Sequence, residues 1–160
     1  MKQLISFLKS FKFAFEGIIY TVRKERNVRV HLTCLVYMMS FLTLTDWFVI
    51  SKVELAILLL TSALVISLEF VNTAIESTVN LVTTEFKPLA KIAKDTAAAA
   101  VLVAAVFAVA IGLVILFQPS AFKLMFEYFA THLLSLATFI ASLVVAIIFI
   151  FVGVPSKKDK

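Results

Sequence analysis

Two glutamates, Glu69 and Glu76, stand at the end of a long apolar run, in the stretch LEFVNTAIESTVN (residues 68–80). At about 100° per residue, an α-helix places them on one stripe about 100° wide, together with Asn72, Thr73 and Asn80. Since an ionised carboxylate in lipid is costly, the stripe should face protein or a water-filled cleft. The alternative is a structural hydrogen-bonding seam between helices. The presence of two carboxylates favours a functional site over that seam.

Mg²⁺ is the ion that this pair of carboxylates suits. It usually takes one or two protein carboxylates together with substrate phosphates. Seven residues extend about 10 Å along a helix axis, which is too far for Glu69 and Glu76 to share one ion directly. We therefore expect the two glutamates to have separate roles.

A second group of charges follows in the stretch KPLAKIAKD (residues 87–95), which carries Lys87, Lys91, Lys94 and Asp95. Lysines beside a carboxylate–metal pair suit the binding of a phosphorylated substrate. The alternative is a basic flank of a membrane span combined with helix capping. The chain has only three Gly and lacks a glycine-rich phosphate loop, so a nucleotide site here would use metal, lysine and carboxylates.

A third group of charges lies in RKERNVRVH (residues 23–31). Glu25 and Arg29 are four residues apart and could pair on a helix, although a solvated face would show the same pattern. His31 and His132 are predicted on opposite sides of the membrane, which argues against a metal site made of the two histidines.

The elements that must position these residues are membrane helices. Hydrophobic residues make up 62% of the chain and the mean hydropathy is +1.05, well above the usual soluble domain. Apolar residues at three- and four-residue steps predict an amphipathic surface helix over residues 1–28. Spans are predicted over about 30–44, 53–81 and 95–117, and the fold class is therefore all-α integral membrane.

The end of the chain is expected to add a fourth span. We predict a membrane domain over residues 1–117 and an extension over 118–160. The extension is predicted to contain an outer loop, a transmembrane helix over about 132–154 and a basic cytoplasmic tail.

The distribution of positive charge predicts the orientation. Thirteen of the 15 Lys and Arg residues fall before the first span, between spans two and three, or in the tail, which leaves only Lys52 and Lys123 on the other side. The positive-inside rule then places both termini in the cytoplasm. The net charge of +5 is thus explained by topology and anionic lipid, and no nucleic acid partner is expected.

The motif ExxNTAIExxV, followed by PLAKIAKDxAA, resembles the bacterial diacylglycerol kinase and undecaprenol kinase family. The stretches AFEGI, KERNVRVHL and KPLAKIAKD are most similar to the undecaprenol kinase branch of Gram-positive bacteria. The resemblance covers about residues 11–117. It implies a homotrimeric membrane kinase in which each protomer has a surface helix and three transmembrane helices.

The resemblance also implies an activity and a set of residue roles. The family transfers the γ-phosphate of ATP to a lipid alcohol with Mg²⁺, at a cytoplasmic site partly between protomers. The implied catalytic residues are the general base Glu69 and the orienting Asn72; the implied lipid-binding residue is Arg29. The implied metal ligands are Glu25 and Glu76. The implied ATP-binding residues are Glu25, Glu76, Glu85, Lys87, Lys94 and Asp95.

The chain departs from the family pattern at three points. Asn80 stands where the family usually has Asp, and Ala99 stands where it usually has Gly. The fourth span is the third departure, because the family usually ends after three.

The resemblance favours phosphorylation of undecaprenol to undecaprenyl phosphate in the bacterial plasma membrane. The alternative within the family is a diacylglycerol kinase that makes phosphatidic acid. A reading from another class is a small four-helix transporter or assembly subunit with Glu69 as a proton site. That reading does not explain why Glu76, Lys94 and Asp95 gather on the predicted cytoplasmic side.

Overall fold

The computed structural model describes residues 1–153, and all its regular elements are helices. In chain order they are α1 (Lys2–Lys24), α2 (Arg26–Leu44), α3 (Lys52–Val82), α4 (Pro88–Leu116), α5 (Pro119–Thr131) and α6 (Leu133–Val152). Helices α2, α3, α4 and α6 are each long and apolar enough to cross a membrane. The predicted all-α, multi-pass membrane fold is confirmed. The predicted basic tail lies outside the described residues.

Helix α1 is the predicted amphipathic element, but it ends at Lys24 rather than near residue 28. The backbone of Glu25 is extended, with φ −100° and ψ 115°, and α2 begins at the next residue. The Glu25 N–H donates to the carbonyl of Thr21 at 2.8 Å. The break therefore places the carboxylate of Glu25 between the end of one helix and the start of the next.

Helices α3 and α4 make the most extensive helix–helix contact. The buried apolar residues of these two helices include Leu58 and Val65 of α3 and Ala97, Val101 and Ala104 of α4. Small alanines let two membrane helices approach closely, which favours packing where no hydrophobic driving force exists. Helix α4 begins at Pro88, earlier than predicted, because proline is well suited to the first turn of a helix.

The segment after α4 differs from the prediction. Residues expected to form an outer loop instead form the helix α5, which again has proline in its first turn. Its Tyr128 and Phe129 pack against Trp47, with ring centroids 5.3 and 5.6 Å from the indole. Aromatic clusters of this kind are typical of a membrane interface.

Helix α6 packs against the side of α2 that faces away from α3. The hydroxyl groups of Tyr37 and Ser142 lie 2.9 Å apart, and Phe139 stacks edge-on against Tyr37 at 6.1 Å. At the other end of the bundle, the Gln118 side chain bonds the backbone N–H and carbonyl of Val49 at 3.1 and 3.0 Å. The segment after residue 117 is thus attached to the loop between α2 and α3 through Gln118 and to α2 through Ser142.

Candidate active site

The polar stripe of α3 faces protein, as predicted. Glu69, Asn72 and Thr73 retain only 2%, 9% and 3% of their accessible surface. Glu76 is half-buried and Asn80 is exposed. Within the stripe, the Asn72 amide donates to Glu76 Oε1 at 3.0 Å and the Thr73 hydroxyl donates to the Glu69 carbonyl at 3.0 Å. The stripe therefore runs from a buried carboxylate to an exposed amide at the C-terminal end of α3.

His31 faces the buried end of the stripe from α2. Its Nε2 lies 3.6 Å from Glu69 Oε1, which is within ion-pair range but too long for a direct hydrogen bond. Asn27, one turn earlier on α2, also lies beside the Glu69 carboxyl group. Sequence reasoning considered His31 only as a partner for His132 and missed it here. The signal that could have found it is the four-residue spacing from Asn27, which puts both on one face of α2.

A cleft of about 250 Å³ opens where these side chains meet. Its polar lining comes from α2 and α3, through Asn27, His31, Glu69 and Asn72. The opposite wall is apolar and comes from α4; it consists of Ala98, Val101, Leu102 and Ala105. Such a cleft has the amphipathic character needed to hold a hydroxyl group at the end of an apolar chain.

The side chains near Glu76 have the chemistry of a magnesium site. The Oδ1 atom of Asn72 is buried and has no hydrogen-bond partner within residues 1–153. The carboxylate of Glu25 is close enough to act electrostatically on Glu69, as is that of Glu76. In the described part of the chain, no three His, Cys, Asp or Glu side chains cluster as a complete metal site. Glu25, Glu76 and Asn72 nevertheless supply the hard oxygen donors that Mg²⁺ prefers, and that ion needs few protein ligands because it leaves the rest of its coordination to water and phosphate.

The predicted nucleotide residues are only partly brought to the stripe. Lys94 of α4 donates from Nζ to Asn80 Oδ1 at 2.6 Å, so it reaches the exposed end of the stripe. Asp95 instead pairs with Lys91, and Lys87 pairs with Glu85 at 2.8 Å. Both pairs are exposed. Among the ion pairs within residues 1–153, neither includes Glu69 or Glu76.

Arg29, the expected lipid-binding residue, is buried and donates hydrogen bonds to protein carbonyls. It is 5% exposed, and its Nη1 donates to the carbonyls of Val22 and Arg23 at 2.9 Å each. Its Nε donates to the carbonyl of Ile150 in α6 at 3.0 Å. The last carbonyls of a helix lack intrahelical partners, and the fork of a guanidinium supplies several donors at once.

Neither alternative for Glu25 and Arg29 holds, because the two side chains do not pair and Arg29 is buried rather than solvated. Because α1 ends before Glu25, Glu25 and Arg29 do not lie on one helix. The guanidinium of Arg29 instead donates to carbonyls near the ends of α1 and α6. Glu25 instead lies 3.4 Å from Nζ of its neighbour Lys24. An exposed lysine holds a carboxylate only weakly, so Glu25 can exchange this partner for a cation.

The region of the chain that matches known proteins contains all these side chains except those of α6. The sequence model described as prokaryotic diacylglycerol kinase matches residues 12–116. A diacylglycerol kinase of Synechocystis sp. is 42% identical over 113 residues, which is 70% of this chain and 63% of that protein's length. An undecaprenol kinase of Bacillus subtilis is 45% identical over 115 residues, which is 71% of this chain and 89% of that protein's length.

Proposed function

The chain belongs to the prokaryotic diacylglycerol kinase family, a family of membrane lipid kinases, and from this premise we propose that it transfers the γ-phosphoryl group of ATP to the hydroxyl of a membrane lipid alcohol. The observation that carries the proposal is the buried carboxylate of Glu69 in an amphipathic cleft, two helical turns along the same face of α3 from the hard oxygen donors at Glu76. This arrangement separates an acceptor end from a nucleotide end, as a two-substrate transfer requires.

Glu69 serves as the general base at the acceptor end. The lipid hydroxyl enters the cleft with its chain against the apolar wall of α4, and its proton passes to the Glu69 carboxylate. The hydroxyl oxygen then bonds to the γ-phosphorus while the bond to the β–γ bridging oxygen breaks, and ADP leaves. His31 and Asn27 hold the carboxylate in place, since a base must lie within hydrogen-bonding reach of the proton it takes.

Glu25, Glu76 and Asn72 form the proposed magnesium end of the site. Bound there with ATP, Mg²⁺ supplies charge neutralisation on the phosphates, which is most of what phosphoryl transfer demands of a protein. Asn72 bridges the two ends, because its amide nitrogen already holds Glu76 while its Oδ1 remains without a partner in the described residues. It therefore couples the orientation of the metal ligand to that of the acceptor cleft.

Lys94 is the proposed contact for the transferring phosphates. It is joined to the stripe through Asn80. When a phosphate replaces the Asn80 amide as its partner, Lys94 brings a fixed positive charge to the site. Glu85, Lys87 and Asp95 complete the proposed nucleotide site. Their present partners are other exposed side chains, which a nucleotide can replace at little cost.

Undecaprenol is the acceptor that we propose. Support comes from the stretches AFEGI and KERNVRVHL, which are most similar to the undecaprenol kinase branch, and from the 89% of the Bacillus relative's length that the match spans. Diacylglycerol is the alternative, favoured by the name of the Synechocystis relative. The deciding experiment offers purified protein both lipids in equal amounts in one detergent, with radiolabelled ATP. Labelled undecaprenyl phosphate as the main product supports the proposal, whereas labelled phosphatidic acid supports the alternative.

We further propose a homotrimer in the bacterial plasma membrane, with both termini in the cytoplasm. Support for the orientation comes from the split of Lys and Arg between the two sides. Support for the trimer comes from the resemblance to the family. Reporter fusions to the C-terminus test the orientation, and cross-linking in native membranes tests the number of protomers.

A further inference from the structure

Helix α6 lies outside the region that the family model matches, yet it reaches the residues around Glu25. We propose that α6 is a positioning element of the kinase site: it holds the break between α1 and α2, and with it the carboxylate of Glu25, through Arg29. This inference rests on the proposed role of Glu25 as a magnesium ligand.

The connection consists of three hydrogen bonds from one guanidinium, which we call the Arg29 clamp. They run to the carbonyls of Val22 and Arg23 in the last turn of α1 and to the carbonyl of Ile150 in the last turns of α6. A cation is favourable at the C-terminal end of a helix, and here two such ends meet at one buried side chain. Val22 and Arg23 lie three and two residues before Glu25, so holding their carbonyls restricts where the backbone of Glu25 can lie.

The next residue after Glu25 adds a second contact to the same helix end. The guanidinium of Arg26 lies 5.7 Å from the ring centroid of Phe151, in the geometry of a cation–π contact. Both ends of the break are thus in contact with the last turns of α6, through Arg29 and through Arg26. A helix that served only as an added membrane anchor would not need these contacts.

Gly153 shows how closely the end of α6 fits against Arg29. Its φ of 76° and ψ of −164° belong to a region that is essentially restricted to glycine. A Cβ atom added at this position would lie 3.2 Å from Cζ of Arg29 and 3.3 Å from Nη1. Any side chain here must therefore displace either the end of α6 or the guanidinium.

The test measures the half-saturating Mg²⁺ concentration of the full-length protein in two ways, by calorimetric titration of Mg²⁺ in the absence of lipid alcohol and by activity, together with KM for the lipid alcohol. Gly153→Ala disturbs the clamp from the α6 side, and Arg29→Lys removes its fork while keeping the charge. Each is expected to raise the half-saturating Mg²⁺ concentration about tenfold, as is typical when a residue that orients a metal ligand is lost. KM for the lipid should stay within about twofold, because the acceptor cleft lies on the other face of α2.

Ser142→Ala is the matched control. It removes the hydrogen bond between α6 and Tyr37 but leaves the clamp intact, and it should keep the Mg²⁺ dependence of the wild type. If it raises the half-saturating Mg²⁺ concentration as much as Gly153→Ala does, general loosening of α6 explains the effect and the proposal is overturned. A folded Arg29→Lys protein with unchanged Mg²⁺ dependence also overturns the proposal. This variant alone decides the test if Gly153→Ala does not fold.

The double variant Glu25→Gln/Gly153→Ala separates this inference from the proposed function. If the clamp acts through Glu25, Gly153→Ala should add little once the carboxylate is gone, since residues that act as a unit are not additive. A full additional tenfold rise would show that α6 acts elsewhere. If Glu25→Gln alone leaves the Mg²⁺ dependence unchanged, the proposed metal role of Glu25 fails, whatever the result for α6.

Discussion

The two ends of the α3 stripe are held in different ways. At Glu69 and Asn72 the stripe is buried, and α2 and α4 close around it within one chain. At Asn80 it is exposed, and its contact there is the flexible Lys94. Beyond it, Glu85, Lys87, Lys91 and Asp95 pair along the surface.

The difference teaches which half of the site is preorganised. Buried groups with packed neighbours stay in one geometry, whereas exposed ion pairs contribute little and change partners easily. The acceptor end is therefore built by the fold, and the nucleotide end is expected to order when ATP and Mg²⁺ arrive. Substitutions at the buried end should affect the rate of transfer, and substitutions at the exposed end should affect binding.

Glu69→Gln should have the largest effect. It keeps the shape of the buried side chain but removes the base, so turnover should fall by roughly 10²–10⁴-fold. Binding of ATP–Mg²⁺ should change little, because Glu69 acts on the acceptor. Both quantities are measured on the same purified variant, with Glu127→Gln on the exposed face of α5 as the matched control. Loss of binding together with rate would assign Glu69 to the metal end instead.

Glu76→Gln should come next and should show the opposite pattern. The amide keeps a partner for Asn72 but loses the charge that holds a hard cation. We expect the half-saturating Mg²⁺ concentration to rise by about 10–100-fold, the range found even for residues that only support a ligand. Magnesium titrations of activity, combined with a thermal unfolding scan in detergent, provide the measurement. Normal activity at low Mg²⁺ would remove Glu76 from the metal site.

His31→Gln should have a smaller effect at the acceptor end. The 3.6 Å gap between His31 and Glu69 is expected to tighten to a hydrogen bond in the substrate complex, as catalytic contacts often do; glutamine can replace that donor, whereas His31→Leu removes it. We expect a fall in turnover of about tenfold for the leucine variant, comparable to one hydrogen bond to a charged group, and a smaller fall for glutamine. Turnover at saturating substrate distinguishes them; equal rates for both variants and the wild type would leave His31 with a packing role alone.

The sequence allowed prediction of the helices, the surface element and the direction of the stripe, because period and hydropathy carry that information locally. The four-residue spacing left open a pairing of Glu25 with Arg29 or a solvated face, and neither occurs because the helix breaks between α1 and α2. The guanidinium of Arg29 holds the break, and it also donates to the carbonyl of Ile150, which is 121 positions further along the chain. Spacing alone cannot reveal such a contact.

His31 and α5 were missed for related reasons. A histidine in an apolar helix has no local signature of its partner, since Glu69 lies on a different helix. The segment that starts at Gln118 was expected to begin with an outer loop, yet the proline at its second position also begins helices well. Aromatic packing against Trp47 then stabilises α5, and that contact again joins segments that are distant in sequence.

Lys91→Ala should have the smallest effect, and it tests the exposed end of the comparison. Lys91 pairs with Asp95 four residues later, both side chains being well exposed, and such pairs stabilise a helix by only about 0.3–0.5 kcal/mol. The thermal unfolding temperature in detergent should therefore hardly move. Removal of Lys91 also frees Asp95 for the nucleotide, so KM for ATP should stay the same or fall slightly while turnover is unchanged. A rise in KM for ATP of tenfold or more, a change of about 1.4 kcal/mol, would mean that the Lys91–Asp95 pair is a fixed part of the nucleotide site, and that the exposed end is preorganised like the buried one.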